Sequence, residues 1–205
     1  MSKYFSRAPL AGAAALLLAA AACTKPATTR DDATARTRVE RGRYLVTVGG
    51  CNDCHTPLKM GAKGPEPDMT RMLSGHPESF PITAGTTTAS DKWLMTAAAS
   101  GTAFSGPWGV SFAANLTPDE NTGLGIWTEE MFMKAVRTGR HMGVSRQILP
   151  PMPWPNVGAM TDDDLKAVYA YLRSIQPVHN RVPDPLPPPA AAIAASGSDA
   201  GVALQ

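Results

Sequence analysis

The sequence predicts one all-α domain with extended central loops, on three observations. Residues 128–139 and 161–177 carry apolar side chains at helical spacing between recognisable start and stop signals. The 205-residue chain is 43% apolar, 6% aromatic and 18% charged, a composition that suits a single packed core. Its 19 prolines and 18 glycines keep helices short and put much of the backbone into irregular connections.

Residues 1–22 read as an export signal. Lys3 and Arg7 precede an apolar run from Ala8 to Ala22 that includes Leu16, Leu17 and Leu18 and ends in small residues before Cys23. The run is short and bounded by polar Thr24 and Lys25, which makes it a poor permanent membrane span. Two fates fit: ordinary cleavage with Cys23 incidental, or lipoprotein processing that leaves Cys23 as a lipidated first residue. Ala20 stands where the lipoprotein signal usually carries a larger aliphatic side chain. Either way the folded part is expected in the periplasm, and in the second case anchored by lipid to a bacterial membrane. Removing residues 1–22 leaves 17 basic against 17 acidic side chains. With no basic stripe and no aromatic platform, nothing favours nucleic acid as a partner.

Residues 23–36 are polar and small and read as a tether, and the folded domain is expected over residues 37–178. Thr37 and Glu40 have the spacing of a capping box, and Val39, Tyr44, Leu45 and Val48 supply an apolar face to a helix that stops at Gly49-Gly50. Residues 56–112 are rich in Gly, Pro, Thr and Ser. Within them Ser90–Ser100 is a weak helix candidate and Val110–Ala113 a short strand candidate. Loops of this length usually need a function or a bound group to organise them. Thr128 opens a helix with Glu129 and Glu130 in its first turn, Phe132, Val136 and Met133 on its inner face and Gly139 as its C-terminal cap. Residues 140–160 are read as irregular. Thr161 caps the clearest helix, Asp162–Ser174, in which Leu165, Val168, Tyr169 and Leu172 follow helical spacing and which Pro177 ends. Residues 179–205, rich first in Pro and then in Ala, are expected to be an extended and poorly packed tail.

The chemistry is concentrated in Cys51-Asn52-Asp53-Cys54-His55. Two thiols two residues apart, followed at once by an imidazole, are what thioether attachment to haem vinyl groups and ligation of its iron require. Cys51 and Cys54 are the expected tethers and His55 the expected metal ligand, with haem c, one and covalent, as cofactor. A redox dithiol or part of a zinc site is the alternative. Zinc wants further Cys or His ligands, and beyond His55 only His76, His141 and His179 remain.

Nine of the ten methionines lie beyond residue 22, and core filling is the ordinary role of each. Met152 stands apart in Leu149-Pro150-Pro151-Met152-Pro153-Trp154-Pro155, where prolines restrict the backbone enough to hold a weak thioether ligand in place. Met152 is therefore the expected second metal ligand, with Met160, Met142 and His141 as the other candidates. Trp154 and Tyr169 either pack in the core or lie against the porphyrin, Trp154 giving its indole N–H to a propionate. Arg137, Arg140 and His141 either offset propionate charge or form a solvated basic helix end. Gly49 and Gly50 are read as permitting close approach of the first helix to the last, and Asn52 and Asp53 as spacers.

Together with Ala114-Asn115-Leu116-Thr117-Pro118-Asp119, Gly123-Leu124-Gly125-Ile126-Trp127-Thr128, Pro151-Met152-Pro153-Trp154 and Leu165–Leu172, the attachment motif closely resembles the class I cytochrome c domains in cytochrome subunits of bacterial membrane-bound alcohol, aldehyde and related dehydrogenases. The likeness covers about residues 37–178 and rests on several separated segments recurring in order. It implies an all-α class I cytochrome c fold, axial ligation by His55 and Met152, and propionate contacts from Asn115 and Thr117. It also implies electron transfer without a catalytic residue: electrons pass from a dehydrogenase or quinol-linked donor to a cytochrome or terminal oxidase. Many such subunits carry three haem domains, whereas this chain has one Cys-x-x-Cys-His. A haem peroxidase or small-molecule oxidoreductase, and a haem sensor or structural subunit, are the competing classes; a peroxidase needs an open sixth site with acid-base groups beside it.

Overall fold

The computed structural model describes residues 28–83 and 92–188; the export segment, Cys23 and residues 189–205 lie outside them. Among the described residues five α-helices carry the domain: α1 Thr28–Val48, α2 Cys51–His55, α3 Glu129–Thr138, α4 Trp154–Gly158 and α5 Asp162–Ser174. The expectation of an all-α domain needs correction, because two small antiparallel sheets fill the region between α2 and α3. One pairs β1 Leu58–Gly61 with β2 Gly64–Pro67; the other orders β3 Thr96–Ala97, β4 Ala103–Gly106 and β5 Gly109–Phe112. Among the described residues no helix is long and apolar enough to cross a membrane.

The two helices read most clearly from sequence form as expected. The Thr128 side chain accepts the Met131 N–H at the start of α3, and Gly139 ends it in the left-handed region at φ 66°. The Thr161 hydroxyl accepts the Asp164 N–H at the start of α5, whose Leu165, Val168 and Leu172 are buried. These side chains join Leu45, Val46, Leu73, Leu124, Phe132 and Val136 in one core.

The first helix stops at Gly49-Gly50 as expected but departs from its reading at its start and in its buried face. It begins at Thr28, so residues 28–36 are wound into helix rather than a tether, and Thr37 sits inside it. There its hydroxyl donates back to the Ala33 carbonyl at 2.9 Å, the ordinary resort of a mid-helix threonine. The buried face is Gly42, Leu45 and Val46 with Val39 half buried, while Tyr44 and Val48 point outward. Gly42 is the reason. A Cβ there would fall inside the shell of the Ala167 carbonyl and of Tyr171 Cβ, so its bare backbone is the surface on which α1 meets α5. Gly49 and Gly50 do not serve that approach. They form the tight turn between α1 and α2, with Gly50 at φ 65°.

Three further expectations are corrected. In the helix candidate Ser90–Ser100, the described residues hold strand β3, where Thr96 faces Ser105 and Ala97 faces Phe104; alanine's propensity amounts to tenths of a kcal/mol and yields to that pairing (about 1 kcal/mol at most per residue). The stretch 140–160 contains α4 and a 3₁₀ turn, His141–Gly143. The start of the tail is packed: Asn180 is 2% exposed, its amide donating to the carbonyls of Ser74 (2.7 Å) and His76 (2.8 Å) while its oxygen accepts from Arg71 Nη2 (2.9 Å) and the Glu78 N–H (3.0 Å). Farther on, Leu186 and Val110 exchange two backbone hydrogen bonds of 2.9 Å, so the segment straps the sheet to the helices.

Two substitutions test this packing. Gly42→Ala should destabilise the domain by about 1–3 kcal/mol in chemical denaturation, the usual cost of an overpacked contact. Asn180→Ala strands several buried polar groups at once and should lower the melting temperature more than alanine replacement of exposed Arg181; equal melting temperatures would show the strap to be idle.

Candidate functional site

Helix α2 is a single turn and a half, and its whole length is Cys51-Asn52-Asp53-Cys54-His55. Cys51 and Cys54 stand at i and i+3, which places both sulfurs on one side of the turn. Both are free thiols of intermediate exposure, and Cys51 packs against the edge of the core. Burial pushes the Cys51 thiol up from its ordinary range, with the nearby Asp53 charge adding to it; burial and then Asp53 do the same at Cys54. A redox dithiol needs the opposite shift, towards the thiolate.

His55 is 7% exposed and its ring is fixed by one contact. Nδ1 lies 2.7 Å from the Ala114 carbonyl oxygen. A carbonyl only accepts, so Nδ1 carries the hydrogen. Burial lowers the His55 pKa and so favours the neutral ring, opposed in part by this bond. In a neutral ring with Nδ1–H, Nε2 holds a free lone pair, the form a metal ligand requires. Two half-exposed thiols on one face of a turn, followed by an imidazole whose Nε2 is freed for coordination, fit the donor set of a covalently attached haem.

The backbone around α2 is held closely. The Gly75 N–H donates to the His55 carbonyl at 2.8 Å, and the His76 N–H to the Ala113 carbonyl at 2.9 Å, so residues 73–76 lie flat against residues 113–116. Gly75 permits this, since at φ 77° a Cβ would strike the backbone of Ala113 and Ala114. Asn52 is more than a spacer: its side-chain oxygen accepts from the Thr56 hydroxyl at 2.8 Å, and that hydroxyl in turn accepts the Leu73 N–H at 2.9 Å.

Asn115 and Thr117 sit directly behind Ala114 and are 4% and 0% exposed. The Asn115 oxygen accepts from the Thr117 N–H (3.0 Å) and hydroxyl (2.7 Å), and its amide donates to the Val178 carbonyl at 2.8 Å. Thr122 joins the cluster, receiving the Asn180 N–H at 3.0 Å and giving its hydroxyl hydrogen to Asp119 at 2.7 Å. In this structure the polar atoms of Asn115 and Thr117 therefore serve protein partners and brace the segment whose carbonyl holds His55. Asn180 has the same standing, and nothing in the sequence marks it out.

The second candidate ligand lies in the loop before α4. Met152 is half buried, and among the described residues Met72, Met133 and Met160, but not Met152, pack against the core. The Trp154 N–H donates to the Met152 carbonyl at 2.9 Å, and the Trp154 indole lies over Gly139. Tyr169 gives its hydroxyl hydrogen to the Trp127 carbonyl at 2.6 Å and touches Phe132, a core role. Arg137 pairs with Asp162 at 2.7 Å and donates to the Gly158 and Met160 carbonyls, which ties α3 to the start of α5. Arg140 donates to the Ser145 carbonyl at 2.9 Å, and the His141 ring meets Trp127 edge-on at 5.1 Å.

The cytochrome c family model matches residues 39–176. The gluconate 2-dehydrogenase cytochrome c subunit of Pantoea cypripedii is 30% identical over 149 residues, covering 72% of this chain and 26% of that one. The cytochrome c subunit of the quinone alcohol dehydrogenase of Gluconobacter oxydans is 29% identical, over 71% of this chain and 24% of its own length. The fructose dehydrogenase cytochrome subunit of Gluconobacter japonicus is 30% identical, over 70% and 22%. The chain thus spans about a quarter of the length of these relatives.

The wall behind the site carries a pH limit. His76 is fully buried; Nε2 donates to the Phe80 carbonyl at 2.8 Å, so the neutral ring must accept at Nδ1, where the Thr102 hydroxyl lies at 3.0 Å. Burial pushes its pKa below the ordinary 6.5. The unfolded chain then binds the proton more readily, so His76 adds stability above pH 6.5 that is lost as the pH falls through its depressed folded value. Urea midpoints should decline below pH 6.5, before the carboxylates with ordinary values near 3.8 titrate. His76→Gln should flatten that decline, and a slope unchanged from wild type would assign it elsewhere.

Proposed function

Because the chain belongs to the cytochrome c family, we propose that it is a periplasmic electron carrier with one covalently bound haem c, held by Cys51 and Cys54 and ligated by His55 and Met152. Membership makes it a carrier rather than itself an enzyme. The observation that carries the reading is the His55 contact with Ala114, which leaves Nε2 as the only ring atom able to bind a metal.

Haem supplies an iron that takes up and releases one electron. The protein's part is to tether, orient and shield it. Cys51 and Cys54 fix the group to the turn that also presents His55, so ligand and tether cannot separate. Ala114 keeps the imidazole in one tautomer and orientation, and a hydrogen-bonded histidine is a stronger donor. Met152 as the second ligand would leave no position for a substrate, which suits outer-sphere electron exchange, and a thioether ligand would raise the potential. Support for Met152 comes from its setting, a proline-bound loop, half buried and outside the core against which Met72, Met133 and Met160 pack; Met131 and Met142 are also half buried outside that core but have no prolines beside them.

The relatives are cytochrome subunits of dehydrogenases for gluconate, alcohol and fructose. On that ground we propose a membrane-bound dehydrogenase or a quinol-linked protein as donor, and a cytochrome or terminal oxidase as acceptor. Residues 1–22 would direct export, with lipid on Cys23 as one route to the membrane surface.

Replacing Cys51 and Cys54 together by alanine should leave no haem on the chain after denaturation. Met152→Ala should keep covalent haem, lose the sulfur-to-iron absorption band and lower the midpoint potential. An unchanged spectrum and potential in that variant would remove Met152 as the ligand.

A further inference from the structure

The loop that carries Met152 has few means of attaching itself. Pro150, Pro151 and Pro153 have no N–H. Within Pro150–Trp154 only Met152 and Trp154 can donate from the backbone, and the Trp154 N–H is turned back onto the Met152 carbonyl at 2.9 Å. Apart from the Trp154 indole over Gly139, its carbonyls are what it offers for a hold from another segment.

Strand β5 supplies the grip. Ser111, 7% exposed, donates its hydroxyl hydrogen to the Pro150 carbonyl at 2.5 Å. A second carbonyl, Phe104, stands at 3.4 Å, too far to compete for that hydrogen. The Trp108 indole N–H donates to the Ser111 oxygen at 3.3 Å, which leaves the serine hydrogen free to point at Pro150 and strengthens the bond it makes. Neither residue belongs to the attachment motif.

The chain that leaves this strand goes on to meet His55. Three residues beyond Ser111, the Ala114 carbonyl fixes His55 Nδ1. One residue before it, Val110 is clamped by its two backbone bonds to Leu186. A single extended stretch, held from behind by the C-terminal strap, thus grips the Met152 loop at one point and the His55 ring at another.

We propose that Ser111, oriented by Trp108, is a positioning residue for the Met152 loop, and that the stretch Ser111–Ala114 registers Met152 against His55. This rests on the reading of Met152 as the second axial ligand. A thioether is a weak ligand, so its occupancy follows how firmly its loop is held. Loss of the Ser111 hydroxyl should raise the fraction of molecules in which an outside ligand can enter.

The test compares ferric holoprotein of wild type, Ser111→Ala, Trp108→Phe and Met152→Ala by absorption spectra and imidazole titration. Ser111→Ala should keep covalent haem and helix content but show a weaker sulfur-to-iron band and roughly five- to tenfold tighter imidazole binding, the scale of one lost buried hydrogen bond. Trp108→Phe should move both readouts the same way by less, and Met152→Ala should abolish the band. If Met152→Ala loses the band while Ser111→Ala and Trp108→Phe match wild type in band and imidazole affinity, the positioning role is wrong and the ligand assignment stands. If Met152→Ala keeps the band, the ligand assignment fails and the role of Ser111 falls with it. Should Ser111→Ala not mature, Trp108→Phe decides alone, and wild-type imidazole affinity in that variant overturns the proposal.

Discussion

The 2.7 Å contact between His55 Nδ1 and the Ala114 carbonyl is the constraint around which the domain is arranged. It joins α2, which holds every residue of the attachment motif, to a segment nearly sixty residues later in the chain. A bond of such long range stays short only if both ends are rigid. On the histidine side rigidity comes from the Gly75 and Thr56 backbone bonds and from Asn52; on the carbonyl side it comes from buried Asn115, Thr117 and Asn180 together with half-buried Thr122. The helical core under these loops, with α1 laid on α5 at Gly42, supplies the platform.

That arrangement explains why so much of the chain is irregular. The central loops and the two small sheets build the wall that carries Ala114 and Ser111, and its buried polar side chains pair largely with one another, the hydroxyls of Ser74 and Ser105 excepted. His76, Thr102, Asn115 and Asn180 are buried without charge, each paired through side chain or backbone. Fully satisfied networks of this kind fix one arrangement, since any shift strands a polar group in a dry interior.

Helices α3 and α5 were legible because cap, apolar period and stop signal agreed at Thr128, Gly139 and Thr161. The attachment motif was legible because its chemistry is local to five residues. What escaped depended on contacts between distant segments. Gly42 looks like any mid-helix glycine until Ala167 is laid against it, and the outward Tyr44 and Val48 carry the same apolar signal as the inward Leu45 and Val46. Strands of two to four residues leave too short a period to read, which hid β1 to β4 while β5 was partly seen. The family resemblance implies propionate contacts for Asn115 and Thr117, and in the structure their polar atoms pair with the brace behind Ala114. Asn180 and Ser111 carried no signal, because a buried hydrogen bond to a remote carbonyl leaves no pattern in sequence.

The account comes down to which atoms meet the iron. X-ray absorption at the iron edge of the purified ferric holoprotein reads the first coordination shell directly. It should show one sulfur with five nitrogens, four from the porphyrin and one from His55. A shell of nitrogen and oxygen alone, or one with a vacant position, would contradict the pairing of His55 with Met152 and the carrier function built on it.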